Sequence, residues 1–153
     1  MPGSTFAFTA AGTILAISAG LPASLTPTAY AALTFTTIGE VTGAGTVGRT
    51  YNIVNHSPLA TRGVVKLKGS FDDGTVSVPA AYAPGDAGQV LVQTALDSDA
   101  FYSFKETLQD GTIIYYQAQV TAAPITADGV DSIVTSAISL AVKSGTIKIK
   151  LPA

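Results

Sequence analysis

The chain has no cysteine, no tryptophan and one histidine, and only 12% of its 153 residues are charged, about half the usual share for a soluble domain. The missing cysteine excludes disulfide frameworks, thiolate metal sites and thiol catalysis together, and leaves the compartment open. A lone histidine, His56, cannot build a catalytic zinc site, which takes three protein ligands. Basic charge is scarce as well. Eight Lys or Arg stand against ten Asp or Glu, for a net charge of −2, so no basic field exists to grip nucleic acid. Residues 1 to 39 carry no charged side chain at all. A compact monomer of this mass exposes roughly 7,000 Å², which leaves about one charge per 400 Å². Much of that surface is therefore expected to face something other than water.

A mean hydropathy of +0.41 raises the question of a membrane. The stretch from Gly12 to Leu33 is interrupted by Gly20, Pro22 and Pro27 and laced with Ser and Thr, so no run of about 20 apolar residues is present. The first basic residue is Arg49, so the positive start of a secretory signal is missing. The expectation is a mature, intracellularly made protein of one domain over 1–153, with no membrane association.

What the sequence does contain is Thr, Val, Ile, Ala and Gly with a dominant period of two, which predicts a mainly β fold. Phe101–Leu108 and Thr112–Val120 flank Asp110-Gly111, a pair suited to a type I′ hairpin. Pairing outward from it sets Leu108 beside Ile113 and Lys105 beside Tyr116, with both faces apolar. A second hairpin is predicted from Gly63–Phe71 and Thr75–Pro79, turning at Asp72-Asp73-Gly74. A last pair, Ser132–Val142 and Thr146–Leu151, has one small-residue face of Thr135, Ala137, Ser139 and Ala141. One substantial helix is expected, capped by Asp86 with Gln89 as its box partner and ending near Asp97. A shorter helical turn is expected to start at Thr26-Pro27. The plan is a β-sandwich or part-barrel with one flanking α-helix.

The constellations that suggest chemistry fail on context. Gly43-Ala44-Gly45-Thr46-Val47-Gly48 spells the dinucleotide fingerprint, but a β-forming run follows it where a helix is required. His56 has no nucleophile elbow to serve. Asp97-Ser98-Asp99 begins like a calcium loop, but Tyr102 and Leu108 stand where Gly and Glu are needed. The lysine pairs Lys66 with Lys68 and Lys148 with Lys150 read as solvated strand faces. No enzyme activity, metal or cofactor is expected. The Gly-rich segment from Glu40 to Arg62 is long for a connection. Its Val41, Val47, Tyr51, Ile53 and Val54 argue for an extended arm with a partner outside its own subunit.

Ile38-Gly39-Glu40-Val41-Thr42, Gly48-Arg49-Thr50-Tyr51-Asn52 and Pro58-Leu59-Ala60-Thr61-Arg62-Gly63 resemble the major tail tube proteins of long, non-contractile-tailed, lambda-like bacteriophages. So do Lys66 to Phe71, Ala95-Leu96-Asp97-Ser98 and Tyr102-Ser103-Phe104-Lys105; the likeness spans roughly residues 12 to 142. It implies six copies in a ring and rings stacked into a hollow tube that passes DNA without holding it. It also implies a virion protein assembled in the host cytoplasm, with tape measure, tail terminator and tail tip proteins as partners. The long loop that reaches an adjacent ring would here carry Glu40, Gly43, Gly45, Gly48, Arg49, Tyr51 and Arg62. Some relatives append an immunoglobulin-like domain, which is expected to be absent from a chain ending at Ala153. Capsid decoration proteins, pilus-like subunits and inner tubes of contractile injection systems are the alternatives. The uncharged first 39 residues, the two-sided hairpin and the small face of residues 135 to 141 are the expected subunit contacts.

Overall fold

A computed structural model describes residues 7–152. In chain order these form β1 (Ile14–Ser18), α1 (Pro27–Ala31), β2 (Thr36–Thr37), β3 (Thr50–His56), β4 (Val65–Asp72), β5 (Thr75–Ala81), α2 (Ala87–Leu96), β6 (Tyr102–Thr107), β7 (Ile113–Ala122), β8 (Ile125–Thr126), β9 (Thr135–Val142) and β10 (Lys148–Lys150). Eight strands share one antiparallel sheet ordered β2-β1-β6-β7-β9-β5, with β10 beside β7 and β8 beside β9. β3 and β4 pair only with each other, as a two-stranded ribbon.

The sheet is curled into a part-barrel, and chain length demonstrates it. Thr37 pairs with Ala16 at one edge, and Val41 already bridges Ala80 at the other. Four residues reach at most about 14 Å, whereas six flat strands would hold their edges roughly 24 Å apart. Only curvature brings the edges within reach. The N-terminus of α2 locks this closure. Asp86 Oδ2 accepts from Gln89 N and from Gly39 N, both at 3.0 Å. The Gln89 amide donates to the carbonyls of Gly39 and Ala81 and accepts from Ala83 N. Asp86 is thus the expected cap. Gln89 does not reach back to complete the box; it ties the two sheet edges together.

The concave face and α2 form the core, with Val92 and Ala95 set against Leu15, Ile17, Val78, Phe104, Tyr116 and Leu140. Phe104 and Tyr116 stack with centroids 5.5 Å apart. The outer face of β1, β6 and β7 is covered by the segment between β1 and β2. Thr26 caps α1 as expected, accepting from Ala29 N, and the turn delivers Tyr30 onto Tyr115 at 5.1 Å. The Tyr30 hydroxyl donates to the Thr146 carbonyl at 2.9 Å, and Ser103 Oγ donates to the Gly20 carbonyl. Both apolar faces of the β6–β7 hairpin are therefore buried inside the subunit and are not subunit contacts. Before residue 40, by contrast, most of the described residues are exposed, and only Leu15, Ala16, Ile17, Ser18, Tyr30 and Ile38 are buried.

The hairpin register is one residue away from the expected one: Lys105 pairs with Tyr115 and Thr107 with Ile113. Leu108 N donates to Thr112 O, and Gly111, at φ 96°, is the loop's residue with positive φ. The connection is thus a three-residue loop with a left-handed glycine, not a type I′ pair. Asp110 stabilises it by accepting from both Thr112 N and Thr112 Oγ1. One residue of slip exchanges the faces, and places Phe104, Tyr116 and Val120 together in the core. The other two expected hairpins exchange partners. β5 pairs with β9 rather than β4, and β10 joins β9 on one edge of β7 instead of pairing with β9. The small-residue face of β9 is as expected: Thr135 and Ala137 are exposed, while Ile138 and Leu140 are buried.

Candidate assembly surfaces

Among the described residues, the two strands of the ribbon pair only with each other. Every residue of β3 is exposed, and Ile53 at 64%, Val54 at 52% and Leu67 at 55% are open to solvent. Alternation gives it two faces. One carries Tyr51, Ile53, Lys66 and Lys68, with Lys68 Nζ 4.8 Å from the Tyr51 ring centre; the other carries Val54, Leu67 and Val65. Between Tyr51 and Ile53 the register shifts, so that Gly69 and Ser70 stand opposite Asn52. An extra residue of this kind strengthens the twist of a two-stranded ribbon.

Its root is pinned by charge. Arg49 Nε donates to Asp73 Oδ1 at 2.9 Å, and the Asp73 side chain is fully buried. Asp73 Oδ2 accepts from Gly145 N at 2.7 Å, which joins the root to the turn after β9. The Arg49 guanidinium also lies over the Phe71 ring at 3.9 Å. Burial alone would push the Asp73 carboxyl up, but the hydrogen bonds from Arg49 and Gly145 and the Arg49 charge hold it below the usual carboxylate range. Its stabilisation is present at neutral pH and is lost as pH falls through that lowered value.

The residues expected to form the arm separate into two groups. Glu40, Gly43 and Gly45 lie along the free edge of β5. The Glu40 carbonyl accepts from Ala81 N, Gly43 sits against Pro79, and Gly45, at φ +77°, packs on the Ser77 carbonyl. Gly48 is in open space, Arg49 and Tyr51 belong to the ribbon root, and Arg62 is exposed in the tip between β3 and β4. The projecting element is thus 50–72, not 40–62. Its second strand repeats β3 in length and apolar content on the far side of Pro58 and Gly63, a signal that pairing with Thr75–Pro79 obscured. Asp73, read from sequence as turn chemistry, is the buried anchor. The G-x-G-x-x-G segment lies on a sheet edge, and His56 is exposed opposite Val65. Among the described residues no group of three His, Asp or Glu is placed to hold a metal, and no helix is long and apolar enough to cross a membrane.

A cavity of about 200 Å³ opens between the β5-edge segment and the concave sheet, lined by Thr13, Leu15, Val41, Gly45, Glu106 and Leu108. Glu106 is 6% exposed, and its Oε2, like Thr13 Oγ1 and the Tyr116 hydroxyl, has no hydrogen-bond partner among the described residues. Its alternation with Tyr102 and Phe104 was the available sequence signal. Burial raises the Glu106 pKa above the ordinary value. A raised acid binds its proton more tightly when folded, so stability falls as pH climbs from about 4.3 to the folded value, by about 1.4 kcal/mol per unit. Glu106→Gln is expected to remove that slope: equal stability near pH 4 and a higher Tm at pH 7.5. Parallel Tm profiles for the two proteins between pH 4 and 8 would refute this.

No protein-family profile matches this sequence, and no curated protein does. Solved structures do. A chain in the extended-state sheath/tube terminator of the PVC extracellular contractile injection system superposes with a TM-score of 0.70 at 9% identity, covering 95% of this chain and 97% of that one. A chain in the baseplate of the anti-feeding prophage gives 0.69 at 10% identity over 97% of both chains. The SPP1 tail tube protein gives 0.65 at 16% identity, covering 91% of this chain and 77% of that one. The chain therefore has the mainly β fold shared by the SPP1 tail tube and these injection-system components.

Proposed function

We propose that this protein is a structural subunit that assembles with itself into a hollow tube, the wall of a phage tail, and catalyses nothing. The observation that carries the reading is the ribbon: two strands whose Ile53, Val54, Val65 and Leu67 stay 45–64% exposed in their own subunit. The accessible surface is 9233 Å², about 2,000 Å² more than a compact monomer of this mass exposes. Ile53, Val54, Val65 and Leu67 of the ribbon contribute to that excess, and a contiguous exposed apolar patch marks a contact surface. The uncharged outer face of β5 and β9 supplies a second, flat surface for lateral neighbours, in rings of six stacked along the tube. Low charge suits a wall that DNA must pass without adhering, since each phosphate contact would add affinity. Tape measure, terminator and tip proteins are the partners such a tube requires, in a virion assembled in the host cytoplasm.

Purified protein is expected to form regular hollow tubes under negative-stain microscopy. Persistent monomer at high concentration, with no tube in intact particles, would sink the reading. The PVC and anti-feeding prophage likenesses favour one second reading, the inner tube of a contractile system. A sheath around the tube would decide for it.

A further inference from the structure

Apart from Lys105 and Glu106 within β6, the charges of this chain are sorted between the two ends of its strands. One rim holds the end of β5 and the start of β9. Glu40, Asp86, Asp97, Asp99, Asp128 and Asp131 lie in the connections at this rim, with no Lys or Arg among them. The bond from Ala81 N to the Glu40 carbonyl and that from Gly39 N to Asp86 place the first two there. The opposite rim holds the start of β5 and the end of β9, and the ribbon springs from it. Arg49, Arg62, Lys66, Lys68, Lys143, Lys148 and Lys150 are on that side, against Asp72, Asp73 and Asp110. Asp73 is already neutralised by Arg49.

Both ends are also apolar. The loop 127–134 on the acidic rim exposes Val130 at 103% and Ile133 at 74%, beside Asp128 and Asp131. It is anchored by the Val134 carbonyl, which accepts from Tyr82 N at 2.8 Å. The ribbon exposes Leu59 at 106% and Ile53 at 64%, beside Lys66 and Lys68. We infer that the cationic, apolar ribbon of one copy docks on the acidic, apolar loop 127–134 of a second copy, joining copies head to tail. Pairing of two ribbons would oppose Lys66, Lys68 and Arg62 to themselves, and pairing of two loops would oppose aspartates, so both symmetric alternatives are repelled. A contact between unlike surfaces is heterologous and builds an open, polar array unless its rotation closes a ring, and surfaces at opposite ends of the subunit favour the open array. Its direct consequence is a fibre or stacked tube of one polarity, and the inference deepens the tube reading by naming its axial contact.

The natural absence of cysteine makes the test clean. Leu59→Cys and Val130→Cys change fully exposed positions, and circular dichroism checks that each variant is folded. Mixed under mild oxidation, with one variant mass-tagged, they are expected to give mixed dimer well above the statistical share and little of either homodimer. Asp128→Lys with Asp131→Lys in the loop partner is expected to slow cross-linking roughly tenfold. Lys66→Glu with Lys68→Glu in the ribbon partner is expected to restore it. A ribbon–ribbon dimer, a statistical mixture or no cross-link overturns the inference. Tubes without mixed cross-links overturn the docking and leave the tube reading standing. Mixed cross-links without tubes uphold the docking and overturn the tube reading.

Discussion

Replacing Asn52–Ser70 with Asn-Gly, so that Tyr51 and Phe71 are joined by a tight turn, is expected to leave a folded monomer that forms no tubes. Tyr51 and Phe71 are cross-strand partners with rings 5.5 Å apart, so the shortened hairpin closes without strain and keeps the Arg49–Asp73 root. Among the described residues the excised strands pair only with each other, so Tm should move by only a few degrees. Assembly should fail by a large margin. Full burial of two side chains such as Ile53 and Leu67 is worth about 3 kcal/mol or more, at least a hundredfold in the concentration needed for polymer. Sedimentation and electron microscopy read this directly. Tubes formed by the shortened protein would show that the ribbon is dispensable; an unfolded product would show that it belongs to the core.

Gly88→Ala should do the opposite, and damage the fold. In a solvent-exposed helix the change gains up to about 1 kcal/mol from propensity. Here α2 crosses β2 so closely that a Cβ at residue 88 would lie 2.6 Å from Ile38 Cα and collide with the Thr37 carbonyl. Neither neighbour can yield, because Thr37 is paired to Ala16 and Ile38 N donates to the Leu15 carbonyl. Relief requires lifting α2, which breaks the bonds of Asp86 and Gln89 to Gly39 and reopens the barrel seam. Overpacking against backbone then costs about 3 kcal/mol, or roughly 6–12 °C in Tm. Gly85, with open space where its Cβ would stand, is the control and should change by less than about 0.5 kcal/mol as alanine. Equal denaturation midpoints for the two variants would refute the close-packing argument.

Local rules carried far. The alternation of β9, the caps at Asp86 and Thr26 and the extent of α2 were legible because they depend on residues within a few positions of one another. The same logic stopped at pairing. Asp72-Asp73-Gly74 has the composition of a hairpin turn, yet the strands on either side of it choose other partners. β4 finds a strand of nearly equal length across Pro58–Gly63, and β5 finds the small-residue strand β9. Turn chemistry allows a chain to reverse or change direction; it does not say which strand waits on the other side. The G-x-G-x-x-G segment shows the same limit, since Gly43 and Gly45 serve close passage over Pro79 and Ser77 rather than a phosphate.

The sequence by itself determined that this protein is mainly β, poor in charge, without thiol chemistry and supplied with a long apolar segment in search of a partner. These are properties of composition and period, and they survive any arrangement of strands. Tertiary structure alone decided which apolar surfaces are spent internally and which remain. It buried both faces of the β6–β7 hairpin beneath α1 and α2, left the 50–72 ribbon uncovered, and sorted the charges to opposite ends. The physical reason is that burial is settled by contacts between residues far apart in the chain. Glu106 and Asp73 illustrate it: two acids of ordinary appearance, one left without a partner in a cavity and the other locked between Arg49 and Gly145.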